Sequence, residues 1–154
     1  MDHLEQHQPV SLNRLAAQAT THCLTGCAIG EVLGMVLGTA FGWTDVATIV
    51  VAVVLAFVFG YGFTLWPLVS SGMPLRAALG LAFVADTVSI TVMEIVDNGV
   101  MLAIPGAMDA QLDNALFWIS LAISLAIAWI AAFPVNRWLI SRGRGHAVVH
   151  SAHE

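Results

Sequence analysis

The chain contains no lysine and only five arginines, so basic side chains are scarce along its whole length. Charged residues make up 10% of the sequence, whereas soluble domains carry about a quarter. Hydrophobic residues make up 58%. This composition is not that of a soluble domain, and the few basic residues give no surface for binding nucleic acid. It predicts an integral membrane protein embedded in a lipid bilayer.

Cysteine is also rare, and both copies, Cys23 and Cys27, lie within one apolar segment. That excludes a disulfide framework of the secreted type. The sequence has no phosphate-binding glycine loop, dinucleotide fingerprint, HExxH motif or recognisable nucleophile–base pair, so nothing indicates an enzyme. The acidic start Met1-Asp2-His3 and a glutamate inside the first apolar segment do not fit a cleavable signal peptide, and we take Met1 as the mature start.

Four apolar segments are long enough to cross a membrane, which takes about 20 helical residues. We place the spans at about 20–41, 46–69, 75–104 and 116–140. Residues 1–19 and 141–154 then form an N-terminal and a C-terminal tail. The short connections pair the spans into two helical hairpins. The expected fold is an all-α, integral membrane four-helix bundle.

The arginines indicate the orientation of the bundle. They stand before the first span, in the middle connection, and at or after the end of the fourth span: Arg14, Arg76, Arg137, Arg142 and Arg144. The other two connections carry aspartates and no basic residue. By the positive-inside rule, both termini are cytoplasmic and the protein is a multi-pass protein of the inner (plasma) membrane.

Four carboxylates lie inside the spans with no lysine or arginine near their depth: Glu31, Asp86, Glu94 and Asp97. A charged side chain at the centre of a bilayer costs about 2.5–3.5 kcal/mol on insertion scales. Such groups must therefore be protonated, face water or pair with a cation. The missing partner is expected to be a proton or a bound metal ion.

The first span places Cys23, Cys27 and Glu31 at positions i, i+4 and i+8, which stacks them on one helix face. Thiolates and carboxylates both bind transition metals, and His22 beside them is a candidate entry ligand. A disulfide is disfavoured, because Cβ atoms at i and i+4 are ~5–6 Å apart and a disulfide needs about 3.5–4.5 Å. The alternative is that both cysteines pack as small hydrophobic residues.

The same span carries a ridge of glycines at every fourth position: Gly26, Gly30, Gly34 and Gly38. Such a ridge lets another helix approach closely. The partner is either a helix of the same chain or a second protomer. We expect a homo-oligomer assembled partly on this ridge.

The third span has a polar face on which Asp86, Met93 and Asp97 nearly coincide, with Glu94 at one side. This face is predicted to look into the bundle. It forms part of a cation site or, alternatively, a network of hydrogen bonds to protonated acids. A weak internal repeat aligns Glu31-Val32-Leu33 with Glu94-Ile95-Val96 and sets Cys23 against Asp86. Whether the faces of spans one and three meet within one protomer or between two is open at this point.

Five of the six histidines lie in the tails, where they repeat at helical spacings: His3, His7, His146, His150 and His153. Short histidine tracts of this kind are typical of metal binding. The alternative is a pair of solvated tails in which the histidines have no common role.

Three stretches resemble a prokaryotic family of small multi-span membrane proteins known only as a domain of unknown function: His22-Cys23-Leu24-Thr25-Gly26-Cys27-Ala28-Ile29-Gly30-Glu31, Met93-Glu94-Ile95-Val96-Asp97-Asn98 and Phe133-Pro134-Val135-Asn136-Arg137-Trp138. The resemblance covers nearly the whole chain from about Thr20. It implies a membrane domain and supplies no activity. The arrangement is also similar, by analogy only, to small copper-transport proteins, although no methionine-rich segment is present.

The leading hypothesis is a membrane protein that binds and transports a transition-metal cation, with copper favoured and zinc-like ions next. The predicted metal ligands are His22, Cys23, Cys27, Glu31, Asp86, Met93, Glu94 and Asp97. Two rivals are a non-catalytic assembly subunit, whose acids pair with a partner's basic residues, and a proton-coupled carrier. A membrane thiol oxidoreductase ranks last.

Reporter fusions test the predicted topology. Green fluorescent protein fused after Glu154 should fluoresce, because the arginines keep that end in the cytoplasm. Alkaline phosphatase, which folds only outside the cytoplasm, should be active when fused at Asp113 and inactive when fused at Arg76. The opposite pattern of activity would reverse the orientation.

Overall fold

The computed structural model of the chain describes residues 11–143. This part contains four α-helices: α1 (Leu12–Phe41), α2 (Asp45–Ser70), α3 (Leu75–Ala103) and α4 (Ala115–Ser141). Each is long and apolar enough to cross a membrane, which confirms the predicted all-α architecture. Helices α2, α3 and α4 begin and end within one residue of the predicted spans, whereas α1 begins before residue 20. The membrane boundaries and the orientation of the termini stay predictions.

Side chains at the helix ends satisfy backbone groups that the helices leave unpaired. The hydroxyl of Ser11 accepts a hydrogen bond from the Arg14 N–H, and that of Thr44 accepts one from the Ala47 N–H. The Asn114 side chain does the same for α4. At the end of α1, Gly42 adopts a left-handed conformation with φ 64°, which glycine tolerates without strain. These local signals explain where α1, α2 and α4 begin and where α1 ends.

The four helices pack in a ring that follows the order of the chain. One pair of helices on opposite sides of the ring, α1 and α3, is also in contact. Helix α1 packs against α2 and α4, and α3 packs against the same two neighbours. Helices α1 and α3 run in the same direction and also touch each other across the centre. The polar faces of the first and third spans therefore meet within one chain.

The glycine ridge of α1 packs against α2. A Cβ atom on Gly26 would come within 2.9 Å of the Gly60 Cα, and one on Gly30 would overlap the backbone of Ala56. Gly34 and Gly38 meet Ala52 and Thr48 in the same way. The ridge thus joins the first hairpin instead of presenting a free surface. A homo-oligomer stays a prediction, and this ridge is already covered.

The outer surface of the bundle is apolar. Valines at four-residue intervals along α2 are more than half exposed, as at Val50, Val54 and Val58. Trp43, Trp66 and Trp138 are exposed near helix ends, where tryptophan favours the interface between lipid and water. This surface fits a bilayer and leaves the carboxyl groups of the spans buried or half-buried.

The close contact at Gly30 can be tested with a matched pair of glycine substitutions. Gly30→Ala should lower the free energy of unfolding by about 1–3 kcal/mol, because the added methyl group meets the Ala56 backbone. Gly62→Ala should be neutral or slightly stabilising, since nothing lies within 4 Å of a Cβ atom there. Titration with SDS in mixed micelles, followed by circular dichroism, measures both. Equal effects would mean that the α1–α2 contact is wrong.

Candidate functional site

A continuous set of polar and thiol side chains fills the contact between α1, α3 and α4, and we call it the polar seam. Its members are Thr20, Cys23, Cys27, Glu31, Asp86, Ser89, Glu94, Asp97, Asn98, Ser124 and Asn136. All are buried except Glu31 and Asn98, which are half-buried. Spacings of three and four residues place each helix's contribution on one face. The seam falls into two layers.

The first layer is held together by the side-chain amide of Asn136 on α4. Its Nδ2 donates hydrogen bonds of 2.9 Å to Thr20 Oγ1 on α1 and to Ser89 Oγ on α3. Beside it, the Cys23 thiol donates to Asp86 Oδ1 over 3.9 Å. One asparagine therefore links three helices next to a buried carboxyl group, and Cys23 contacts Asp86 as the sequence offset predicts.

The second layer is organised by the amide of Asn98 on α3. Its Nδ2 lies 3.5 Å from Glu31 Oε1, 3.3 Å from Glu94 Oε2 and 2.9 Å from the Glu94 carbonyl oxygen. The Cys27 thiol of α1 also interacts with Glu94. Two glutamates from different helices thus converge on one amide donor, with no basic side chain from any span beside them.

The contacts of Asp97 with Ser124 of α4 bear on whether Asp97 carries a proton. Ser124 Oγ lies 2.5 Å from Asp97 Oδ1 and 2.9 Å from the Leu121 carbonyl oxygen. A serine hydroxyl has a single hydrogen, and a carbonyl oxygen only accepts. A proton on Asp97, donated to Ser124, would give each contact a hydrogen of its own, whereas an ionised Asp97 would share the single serine hydrogen with the Leu121 carbonyl.

Asp97 also interacts with Glu31, so two carboxyl groups face each other in the second layer. Two ionised carboxylates this close repel each other unless a proton or a cation lies between them. Among the described residues, Glu94 Oε1 and Asp97 Oδ2 are buried and have no hydrogen-bond partner. The second layer therefore contains buried carboxyl oxygens that a proton or a bound cation would satisfy.

The two thiols lie on the apolar side of the seam. Cys23 and Cys27 are free and almost fully buried, and they pack with Ile90 and Met93 in one cluster. The structure thus brings the predicted soft ligands Cys23, Cys27 and Met93 together, and the predicted acids lie against them.

His22 lies apart from the other predicted ligands. Its ring packs edge-on against Phe63 of α2, with 5.8 Å between the ring centroids. It also lines a surface groove with Arg14 and Gln18. The histidines of the two tails lie outside the described residues. Within residues 11–143, no three histidine, cysteine, aspartate or glutamate side chains are grouped so that they could hold a metal ion.

Sequence reasoning missed the contribution of α4. Its inner face carries small and polar residues at every fourth position, all of them buried: Ser120, Ser124, Ala128, Ala132 and Asn136. That spacing was readable in the sequence as a face for close helix contact. The sequence does not show how α4 packs against α3. It therefore could not show that Ser124 meets Asp97 and that Asn136 meets Ser89.

The protein has four helices that are long and apolar enough to cross a membrane, an apolar outer surface and a polar seam inside. These features place it in the class of small four-helix membrane proteins with ionisable groups in the core. The chain belongs to the family described as Domain of unknown function (DUF4396), whose sequence profile matches residues 12–145. Neither a curated protein nor a solved structure shows significant similarity to the chain.

The burial of the thiols predicts their reactivity. In detergent, Cys23 and Cys27 should react with a maleimide only after denaturation, because their exposed fractions are 0% and 1%. Thr39→Cys, on the exposed surface of the same helix, should react at once. Rapid labelling of the native thiols would favour the thiol oxidoreductase and contradict the packing of the seam.

Proposed function

We propose that the protein carries a cation across the membrane along the polar seam, and that a proton is the cation that the contacts support best. The observation that carries this proposal is the position of Ser124 between Asp97 and the Leu121 carbonyl, where a proton on Asp97 would give each contact a hydrogen of its own. Intramembrane carboxyl groups that face one another are typical of proton relays.

The order of contacts along the seam supports a relay. The Asn98 amide holds Glu94 and Glu31 beside each other, Glu31 interacts with Asp97, and Asp97 contacts Ser124. Carboxyl and hydroxyl groups both donate and accept, so a proton can pass between neighbours by small side-chain rotations. A proton needs one carboxyl group at each step, whereas a transition metal needs several ligands at one point.

A thiophilic metal, copper first and zinc-like ions next, is the second candidate. It is favoured by the shared cluster of Cys23, Cys27 and Met93, because thiolate and thioether sulfur are the ligands that Cu(I) prefers. In this version the metal would replace the thiol protons, and Glu94 beside Cys27 would supply further negative charge.

An assembly subunit is the third alternative. In it, a basic residue of another membrane protein would have to reach the acids of the seam. Asp86 and Asp97 are 0% and 1% exposed, so such a residue could reach them only if the helices separated. This burial makes the assembly subunit the weakest of the three proposals.

Proton flux into proteoliposomes tests the relay. With a potassium diffusion potential as the driving force and a pH-sensitive dye inside, the wild-type protein should acidify the lumen. Glu31→Gln and Asp97→Asn should each lower the rate at least about tenfold, because the amide cannot pass the proton on. Asp109→Asn changes an exposed acid outside the helices and should leave the rate unchanged.

Circular dichroism and gel filtration show whether each variant is folded. Equal flux through wild type, Glu31→Gln and Asp97→Asn would overturn the relay. Flux absent from the wild type would overturn it as well.

Elemental mass spectrometry separates the copper proposal from the relay. Protein purified without a histidine tag should contain stoichiometric copper if Cys23, Cys27 and Met93 bind it, and Cys23→Ser with Cys27→Ser should lose it. Folded wild-type protein that holds no metal and takes up neither Cu(I) nor Zn(II) would exclude this version and leave proton flux as the function to be tested.

A further inference from the structure

A half-enclosed cavity of about 170 Å³ lies where α1 turns into α2. Since one water molecule takes up about 30 Å³ of liquid, the cavity has room for several waters or a partly hydrated ion. Its polar and sulfur-containing lining comes from both hairpins: Met35, Thr39, Asp45, Thr48, Met108 and Gln111.

The cavity continues the face of α1 that carries the polar seam. Met35 follows Glu31 by four residues and Thr39 follows by four more, so all three lie along one side of the helix. Beside them on α1 lies Gly38, which allows Thr48 of α2 to approach closely. A Cβ atom on Gly38 would overlap the Thr48 side chain. The cavity therefore occupies the end of the seam beyond Glu31.

The lining combines two thioethers with a carboxylate. Met35 comes from α1 and Met108 from the connection between α3 and α4, and both are half-buried against the cluster around Phe117. Across the cavity, Thr39 Oγ1 donates to Gln111 Oε1 at 3.5 Å, which joins α1 to the same connection. Thioether sulfur binds soft monovalent ions and discriminates against Mg²⁺ and Ca²⁺, which prefer oxygen.

We propose that this cavity binds a thiophilic monovalent cation, Cu(I) or its analogue Ag(I), through the sulfurs of Met35 and Met108, with Asp45 supplying the negative charge. Its role as the mouth of the seam rests on the copper version of the proposed function. The binding itself depends only on the cavity.

Titration with silver nitrate in chloride-free buffer tests the site. The full chain in detergent carries ¹³C-methyl methionine and the substitutions Cys23→Ser and Cys27→Ser, so that no thiol competes for the probe. The methyl resonances of Met35 and Met108 should shift together and saturate near one equivalent. Met73, which packs with Leu68 and Ala78 outside the cavity, should not shift over that range.

Substitutions supply the matched controls. Met35→Leu should abolish the saturable shift of the Met108 resonance, and Met108→Leu that of the Met35 resonance, whereas Met73→Leu should leave both shifts unchanged. Asp45→Asn should weaken binding about tenfold, since it removes the one carboxylate of the lining. If the cysteine variant does not fold, the same titration of wild-type protein still reports on the two methionines separately.

Unshifted Met35 and Met108, or a Met73 shift over the same concentration range, would overturn the site. The two proposals fail separately. A saturable shift at Met35 and Met108 in a protein that moves neither protons nor copper would keep the site and refute the proposed function. Proton or copper flux without the shift would refute the site alone.

Discussion

The packing of this bundle depends on four carboxyl groups that no basic side chain of the spans can neutralise. A polar group left unsatisfied in an apolar core costs several kcal/mol, whereas a hydrogen bond between membrane helices contributes only about 0.6 kcal/mol on average. Avoiding unsatisfied groups therefore governs the arrangement of the helices. Asn98 and Ser124 lie against the acids of the second layer, and Asn136 joins the three helices that enclose Asp86 and its neighbours.

The glycine ridge, on the neighbouring face of α1, makes this arrangement possible. Because Gly26 and Gly30 let the backbone of α2 approach closely, the first hairpin is narrow, and the adjacent face of α1 reaches α3 and α4 at once. Small residues along α4, such as Ala128 and Ala132, pack in the cluster that contains Cys23, Cys27 and Met93, so α4 contacts both α1 and α3. Helix α1 thus uses one face for close backbone packing against α2 and the neighbouring face for the polar seam.

The seam combines two kinds of chemistry in one column. Its acids and hydroxyl groups suit a proton, while Cys23, Cys27 and Met93 suit a soft metal ion. The thiols interact with Asp86 and Glu94, so the two sets share contacts. A cation bound by either set would alter the charge seen by the other, which is a physical basis for coupling between them.

The sequence by itself determined the four helices and the inward direction of the polar faces of α1 and α3, because composition, helical periodicity and length act locally along the chain. Only the tertiary structure decided that the glycine ridge packs on α2 within the chain, that Ser124 and Asn136 complete the seam, and that Met35 and Met108 line one cavity. Those contacts depend on how α4 and the last connection dock, and docking follows from the shapes of several helices together. Periodicity within one helix shows which face is polar, but the atoms that this face meets depend on the other helices.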